Sequence, residues 1–364
     1  MHSSIDQMIR GIESVPDIMP TDRWIRSSLV SGPRLSNMRS ILLAHLTAAT
    51  VLATSLASAA EPAEKIAHLG FVHSQSASTT NRGLSVFWER LTELGWVQGR
   101  NLVTEERWAE GHIERLPVLM AEVVERKVDV IVTYSTPAAV AAKNATKTIP
   151  IVVESMGDPV GTGVAASLAH PGGNLTGLSL QMTEGIPGKW LELLQETVPR
   201  LVTVAVIGNP DTPLFGLVRH PLEAAASARN LKLRFINIPG PEALENAFGE
   251  ARRAAQAALV IPDPMTFYHQ RQVAAQAAKD HLPVIYGLPE YVDAGGLMAY
   301  GPNQAVLARR AAEYVDKILR GANPADLPIE QATEYVLVVN LKAAHSLGLN
   351  IPKSILQRAD EVIR

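Results

Sequence analysis

The sequence predicts an α/β protein of two Rossmann-like lobes joined by a three-segment hinge. Three observations predict it. Short apolar, β-branched runs alternate with longer amphipathic stretches, as in βα units stacked into parallel sheets. The alternation pauses at a polar, glycine-containing segment, 181–187, and restarts as though from a new first strand. With 364 residues, 47% apolar and 19% charged, the chain exceeds one average domain while keeping an ordinary globular composition.

In the first lobe, strands are read at 65–72, 102–108, 128–134, 149–154 and 175–180, with helices at 82–94, 113–126 and 137–145. The turn Pro171-Gly172-Gly173-Asn174 sets off the last strand. The second lobe reads as helix 189–197, strand 202–207, helix 214–230, strand 232–238, helix 241–255, strand 258–261, helix 266–281 and strands 283–286 and 296–300. Helix 304–319, strand 334–340 and helix 341–347 follow. If that helix completes the first lobe and that strand returns to the second, three segments cross between lobes, and such a hinge permits closure around a ligand. The boundaries are then 60–181 plus 302–323 for lobe one and 182–301 plus 324–364 for lobe two.

Ahead of the lobes, Met38 and Arg39 open a short positive region, 41–56 is apolar, and Ala57-Ser58-Ala59 precedes Ala60-Glu61-Pro62. That is a secretory signal peptide over 38–59 with an A-x-A cleavage site. A membrane span needs roughly 20 predominantly apolar residues, whereas this run contains His45 and several Thr and Ser. The chain has no cysteine to be acylated, so the mature protein is expected to be soluble and not a lipoprotein. Residues 1–37, of mixed charge and without periodicity, read as a non-native or disordered extension before a true start at Met38.

A net charge of -3 with no block of like charges gives no footprint for nucleic acid. The absence of cysteine removes disulfides, thiolate zinc sites, iron–sulfur ligation and cysteine nucleophiles. No G-x-S-x-G, H-E-x-x-H or Walker A pattern occurs, and the histidines lack metal-ligand spacing. Gly161-Thr162-Gly163-Val164-Ala165-Ala166 matches G-x-G-x-x-A but follows about the fourth strand, so it is read as helix packing rather than a dinucleotide fingerprint. No cofactor, metal or catalytic residue is expected.

Ligands of open parallel sheets bind beyond the carboxyl ends of the strands. Here a capping residue repeatedly stands before proline at those ends: Ser135-Thr136-Pro137, Gly157-Asp158-Pro159, Asn209-Pro210, Asp211-Thr212-Pro213 and Asp263-Pro264. Each reads as a helix cap. Each also offers free N–H groups and partial positive charge to a ligand carboxylate, and the two roles coexist. Ser74, Ser76 and Ser78, with Ser135 and Thr136, are the hydroxyls expected to serve an acidic group, and Asp158 or Asp263 would accept from a ligand ammonium. Asn209 completes the polar set, while Tyr134, Phe267, Tyr286 and Tyr300 are rings near strand ends that would pack on an apolar or aromatic ligand, or serve as core packing.

Several spaced stretches together resemble the ABC transporter substrate-binding proteins of the tryptophan/tyrosine-binding type. They are Ser135-Thr136-Pro137-Ala138-Ala139, Ile149-Pro150-Ile151-Val152, Gly157-Asp158-Pro159-Val160-Gly161, and Pro171 to Gly177. Tyr291 to Gly301, Asn340-Leu341-Lys342-Ala343-Ala344 and Leu347 to Pro352 continue the likeness, which spans the mature chain. The resemblance implies a type I periplasmic binding protein fold, capture of an amino acid or an aromatic or carboxylate compound, and delivery to an ABC permease in the inner membrane. A monomer is expected. Two alternatives stay open: a ligand-sensing regulatory domain of the same bilobal fold, and an exported α/β enzyme.

Overall fold

The computed structural model describes residues 66–79 and 81–364, so the expected extension at 1–37 and signal peptide at 38–59 lie outside the described residues. The first sheet gathers β1 (Ala67–His73), β2 (Leu102–Trp108), β3 (Val130–Tyr134), β4 (Ile151–Met156) and β5 (Leu175–Ser179). The second gathers β6 (Thr203–Gly208), β7 (Lys232–Asn237), β8 (Ala257–Val260), β9 (Val284–Tyr286) and β10 (Met298–Pro302). β11 (Glu330–Gln331) returns to the first sheet, and β12 (Tyr335–Asn340) and β13 (Glu361–Ile363) finish the second. The strand orders are β11-β5-β4-β3-β1-β2 and β13-β12-β10-β9-β8-β6-β7. All pairings are parallel except β10 with β12.

A parallel sheet covered on both faces demands apolar side chains at every position, and β3 and β4 are buried throughout. Alternation assigns the faces. Phe71, Val132 and Val152 share a core with Phe87 and Leu91 of helix Leu84–Glu93 and with Ala308 and Val315 of helix Gln304–Leu319. Val72, Ile131 and Val153 pack on the other side with Leu119, Met120, Ala138 and Ala142 of helices Leu116–Glu125 and Thr136–Ala145. Gly177 lets β5 lie against β4: its φ is +140°, and a Cβ there would run into the Val153 carbonyl.

Three crossings join the sheets: 180–185 after β5, Asn303 after β10, and 332–334 after β11. They are tied together. The Tyr335 hydroxyl donates to the Leu180 and Gln181 carbonyls at 3.2 and 3.1 Å, and the Asn303 N–H donates to Glu334 O at 2.9 Å. Gln181 holds a φ of +46°, a left-handed conformation unfavourable for a residue with a side chain. Beside the crossings, helix Ile186–Thr197 buries Trp190 completely, and its indole N–H donates to Tyr300 O at 2.7 Å.

Three details differ from the sequence reading. Residues 330–331, expected in lobe two, pair with Leu178 and Ser179 of β5 in the first sheet. Arg310 holds this two-residue strand through Glu330, with Nε and Nη2 each 2.6 Å from a carboxylate oxygen; so short a strand leaves no apolar run to read. The helix expected at 266–281 is two helices, Pro264–Tyr268 and Gln270–Lys279, meeting at His269. Residues 161–166 form turns rather than a helix, so helix packing does not account for their glycines. Among the described residues no helix is long and apolar enough to cross a membrane.

Replacing Trp190 by alanine removes a fully buried indole and leaves the Tyr300 carbonyl without its donor. The expected cost is about 3–5 kcal/mol of unfolding free energy, measured by urea denaturation, with far-ultraviolet circular dichroism retained in the absence of denaturant.

Candidate functional site

Parallel pairing brings the carboxyl ends of β1, β3, β4 and β5 to one edge of the first sheet, and those of β6, β8 and β9 to one edge of the second. A cavity lies between the two edges. Its enclosed volume is about 50 Å³, and the empty space counted out to the open mouth is about 500 Å³. The first lobe contributes Gln75, Tyr134, Ser135, Thr136, Ser155, Met156 and Gly157; the second contributes Thr212, Pro213, Leu214, Asp263, Pro264, Phe267 and Leu288; Leu180 of the crossing lies between.

Three helices start at this cavity, each with proline in its first turn: Thr136–Ala145, Pro213–Ala228 and Pro264–Tyr268. Proline removes an N–H that would have no partner there and leaves the following ones available. Ser135 caps the first helix with φ +89° and ψ 156°, a region suited to glycine, so the backbone at the cavity wall is strained. The Thr136 hydroxyl accepts from the Gly157 N–H at 2.9 Å, and the Ser179 hydroxyl donates to Gly157 O at 2.8 Å, fixing the loop after β4.

Aromatic rings form a row across the lobes. The His73 ring lies 5.3 Å from Trp108 and stacks on Tyr134 at 4.5 Å. Tyr134 faces Phe267 of the other lobe at 6.2 Å, Phe267 meets Tyr291 edge-on at 5.9 Å, and Tyr291 stacks on Tyr286 at 5.0 Å. The lobes also meet through polar contacts. Gln75 Nε2 donates to Pro264 O at 3.1 Å. Arg82 donates to both Asp293 oxygens at 2.8 and 2.6 Å and to Glu361 at 2.8 Å.

The titratable groups here are displaced by burial. His73 is held neutral, its pKa lowered to about 3. Asp263 is raised to about 6 by burial, against the hydrogen bonds from Thr266 and Met265 that favour its charge. Just behind the cavity wall, Glu154 is raised to about 8 by burial and by repulsion from Glu290, and Glu290 to about 7, chiefly by burial.

Of the residues the sequence singled out, Tyr134, Ser135, Thr136, Asp263 and Phe267 come together at the cavity. Asp263 is largely engaged by its own helix: Oδ1 accepts from the Met265 and Thr266 N–H groups, and Oδ2 from the Thr266 hydroxyl. The others are not brought to the cavity wall. Ser74 is buried beside Gln75, while Ser76 and Ser78 bond to one another in their loop at 2.8 Å. Asp158 accepts from the Val160 and Gly161 N–H groups, and Asn209 from the Asp211 N–H. Tyr286 packs in the second lobe against Tyr291, and Tyr300 stacks on Tyr335. Thr212, read in sequence within the Asp211-Thr212-Pro213 cap, also lines the cavity, while sequence reasoning passed over Gln75, Ser155 and Leu288; the first two stand at or just beyond strand ends in buried runs, where a polar residue is itself a signal.

A sequence model of the family described as ABC transporter substrate binding protein matches residues 65–363. A tyrosine-binding protein of Clostridioides difficile (strain R20291) is 26% identical over 263 residues, 72% of this chain and 75% of that protein. A conserved domain protein from Vibrio cholerae O1 biovar eltor superposes with a TM-score of 0.77 at 26% identity, covering 82% of this chain and 100% of the other. An ABC domain in complex with L-Trp from Streptococcus pneumonia superposes with a TM-score of 0.72 at 23% identity, covering 81% and 100%.

Two outcomes are expected. Ser135→Gly relieves the φ of +89° at the small cost of one weak cap, 3.5 Å from the Ala138 N, and raises stability by about 1 kcal/mol, read by urea denaturation; Ser135→Ala gives no such gain. Glu154 and Glu290, with folded pKa values of about 8 and about 7 against an ordinary 4.5, favour the fold when protonated, so their contribution is complete below 4.5 and is lost as pH rises through the folded values. His73 acts oppositely, and only below its ordinary 6.5. The melting temperature therefore falls between pH 6.5 and 8.5 in the ligand-free protein, and differential scanning calorimetry of Glu154→Gln shows a shallower fall.

Proposed function

Since the chain belongs to the family of ABC transporter substrate-binding proteins, we propose that it captures an amino acid or a related aromatic carboxylate between its lobes and delivers it to the permease of an importer. The observation that carries this reading is the double lining of the cavity, by Tyr134, Ser135 and Thr136 from one sheet edge and by Pro213, Asp263 and Phe267 from the other. A ligand shifts an open–closed equilibrium only through contacts that differ between the two states. A guest touching both lobes makes half of its contacts on closure alone.

The chemistry of the lining favours an aromatic acid. The helix start at Thr136 presents N–H groups and positive potential to a carboxylate. Tyr134 and Phe267, from opposite lobes with ring centroids 6.2 Å apart, give a bound ring an aromatic wall to pack against. The tyrosine-binding relative and the L-Trp complex are consistent with such cargo. The protein acts as a binder without turnover, as a monomer, in the periplasm after removal of the signal at 38–59.

Isothermal titration of the purified protein with the twenty amino acids and a set of aromatic acids is expected to return micromolar or tighter binding for an aromatic member. Phe267→Ala lowers that affinity tenfold or more, about 1.4 kcal/mol per decade. Binding by no member of the set, or consumption of a ligand on incubation, would remove the proposal. Export is checked by fractionation, with retention in the cytoplasm as the contrary result.

A further inference from the structure

Gln75 joins the two lobes at the cavity and leaves one of its atoms unused there. It follows β1 in the loop toward helix Leu84–Glu93, is 1% exposed, and lines the cavity. Its main chain is held on both sides: the N–H donates to His73 Nδ1 at 3.1 Å, and the carbonyl accepts from the Glu110 N–H at 3.0 Å. From that fixed point the side chain reaches the other lobe, where Nε2 donates to Pro264 O at 3.1 Å. Because a carbonyl oxygen can only accept, this bond settles which end of the amide is nitrogen. The other end, Oε1, is buried without a hydrogen-bond partner.

The other polar side chains of the cavity are engaged or unselective. Thr136 Oγ1 accepts from the Gly157 N–H, the Thr212 hydroxyl donates to Asn209 O at 2.9 Å, and Asp263 accepts from its own helix on both oxygens. Ser155 Oγ is also unpartnered, but a hydroxyl rotates to donate or to accept and so discriminates little. Gln75 Oε1 accepts only. Its position follows from the bond to Pro264, which shares the short helix Pro264–Tyr268 with Phe267, three residues on and so a neighbour on the helix surface. The amide therefore stands on the Phe267 side of the cavity, where the aromatic wall would receive the ring of a guest.

Closing the lobes over a guest that offers this oxygen nothing leaves it dry and unpaired, and a buried acceptor without a donor opposes closure. An indole N–H or a phenol O–H supplies the missing donor. A plain phenyl ring supplies none. Sites built to hydrogen-bond a group on the guest reject the analogue that lacks it for this reason. We propose that Gln75 is a specificity-determining residue of the cleft, its Oε1 accepting from a donor on the guest's aromatic ring. The assignment rests on the capture reading above and adds selection at the ring, separate from the recognition of the guest's carboxylate. Since the nitrogen of the same amide holds Pro264 of the opposite lobe, reading the ring and holding the lobes together pass through one side chain.

The test is calorimetric titration at pH 7.5 with two sets of probes: L-tyrosine against L-phenylalanine and O-methyl-L-tyrosine, and L-tryptophan against 1-methyl-L-tryptophan. For whichever parent the wild-type protein binds more tightly, loss of the ring donor is expected to weaken binding about tenfold or more. Gln75→Leu, similar in size, loses the bond to Pro264 and weakens every probe, so the readout is the ratio between parent and counterpart, which falls to within about twofold. A residue that only held the lobes together would leave that ratio unchanged. Wild-type protein that binds the donor-less counterparts as tightly as both parents overturns the inference, even if the variant fails to fold, and leaves the capture reading intact. A folded Gln75→Leu protein that keeps the wild-type ratio overturns it too. If none of the five probes binds, the aromatic capture reading falls and the inference with it.

Discussion

Parallel pairing is the constraint from which the rest of this molecule follows. A parallel strand can be reached only by a crossover, so successive helices begin at the same edge of the sheet and deliver their unpaired N–H groups there. With two such sheets hinged edge to edge, both sets of helix starts line one space. The polar groups that bind and the rings that grip are thus collected at the cleft by backbone geometry, before any particular side chain is chosen.

Within that space, the acidic groups fall into two kinds. Asp158 accepts two N–H groups of its own turn on Oδ1, and Asp263 accepts two on Oδ1 and the Thr266 hydroxyl on Oδ2, so both serve local rigidity. Both carboxyl oxygens of Glu154, and Oε2 of Glu290, have no partner in either lobe. Buried polar atoms are normally paired, so those left over are informative. Arg82, joining a loop of one lobe to two acids of the other, supplies a cohesion between lobes that does not depend on the guest. Exposed ion pairs of this kind contribute little each, which suits a contact that must break for release.

The alternation of apolar runs made both sheets legible, and capping residues before proline marked the helix starts at Thr136, Pro213 and Pro264. Those signals are local. What escaped was set by distance along the chain: β11 is two residues long and is held by Arg310 and β5, neither adjacent in sequence. The serines after β1 look like donors in sequence, yet the loop turns them toward each other and brings Gln75 to Pro264 instead. Glu154 and Glu290 are far apart in sequence, and only the folded chain shows that both are buried. Tyr286 and Tyr300 stand near strand ends, but on sides of the second sheet that face packing rather than the cleft.

The triple crossing has a consequence for synthesis. Neither lobe is a continuous stretch of chain: the first sheet waits for helix Gln304–Leu319 to cover one face, and for Glu330 to finish its edge. A nascent chain that has made all five of its early strands still exposes the apolar face around Phe71 and Val152, and must keep it from aggregating until the whole second lobe has emerged. No truncation can yield the first lobe alone, and assembly is bound to be slow, since its decisive contacts join residues far apart in sequence.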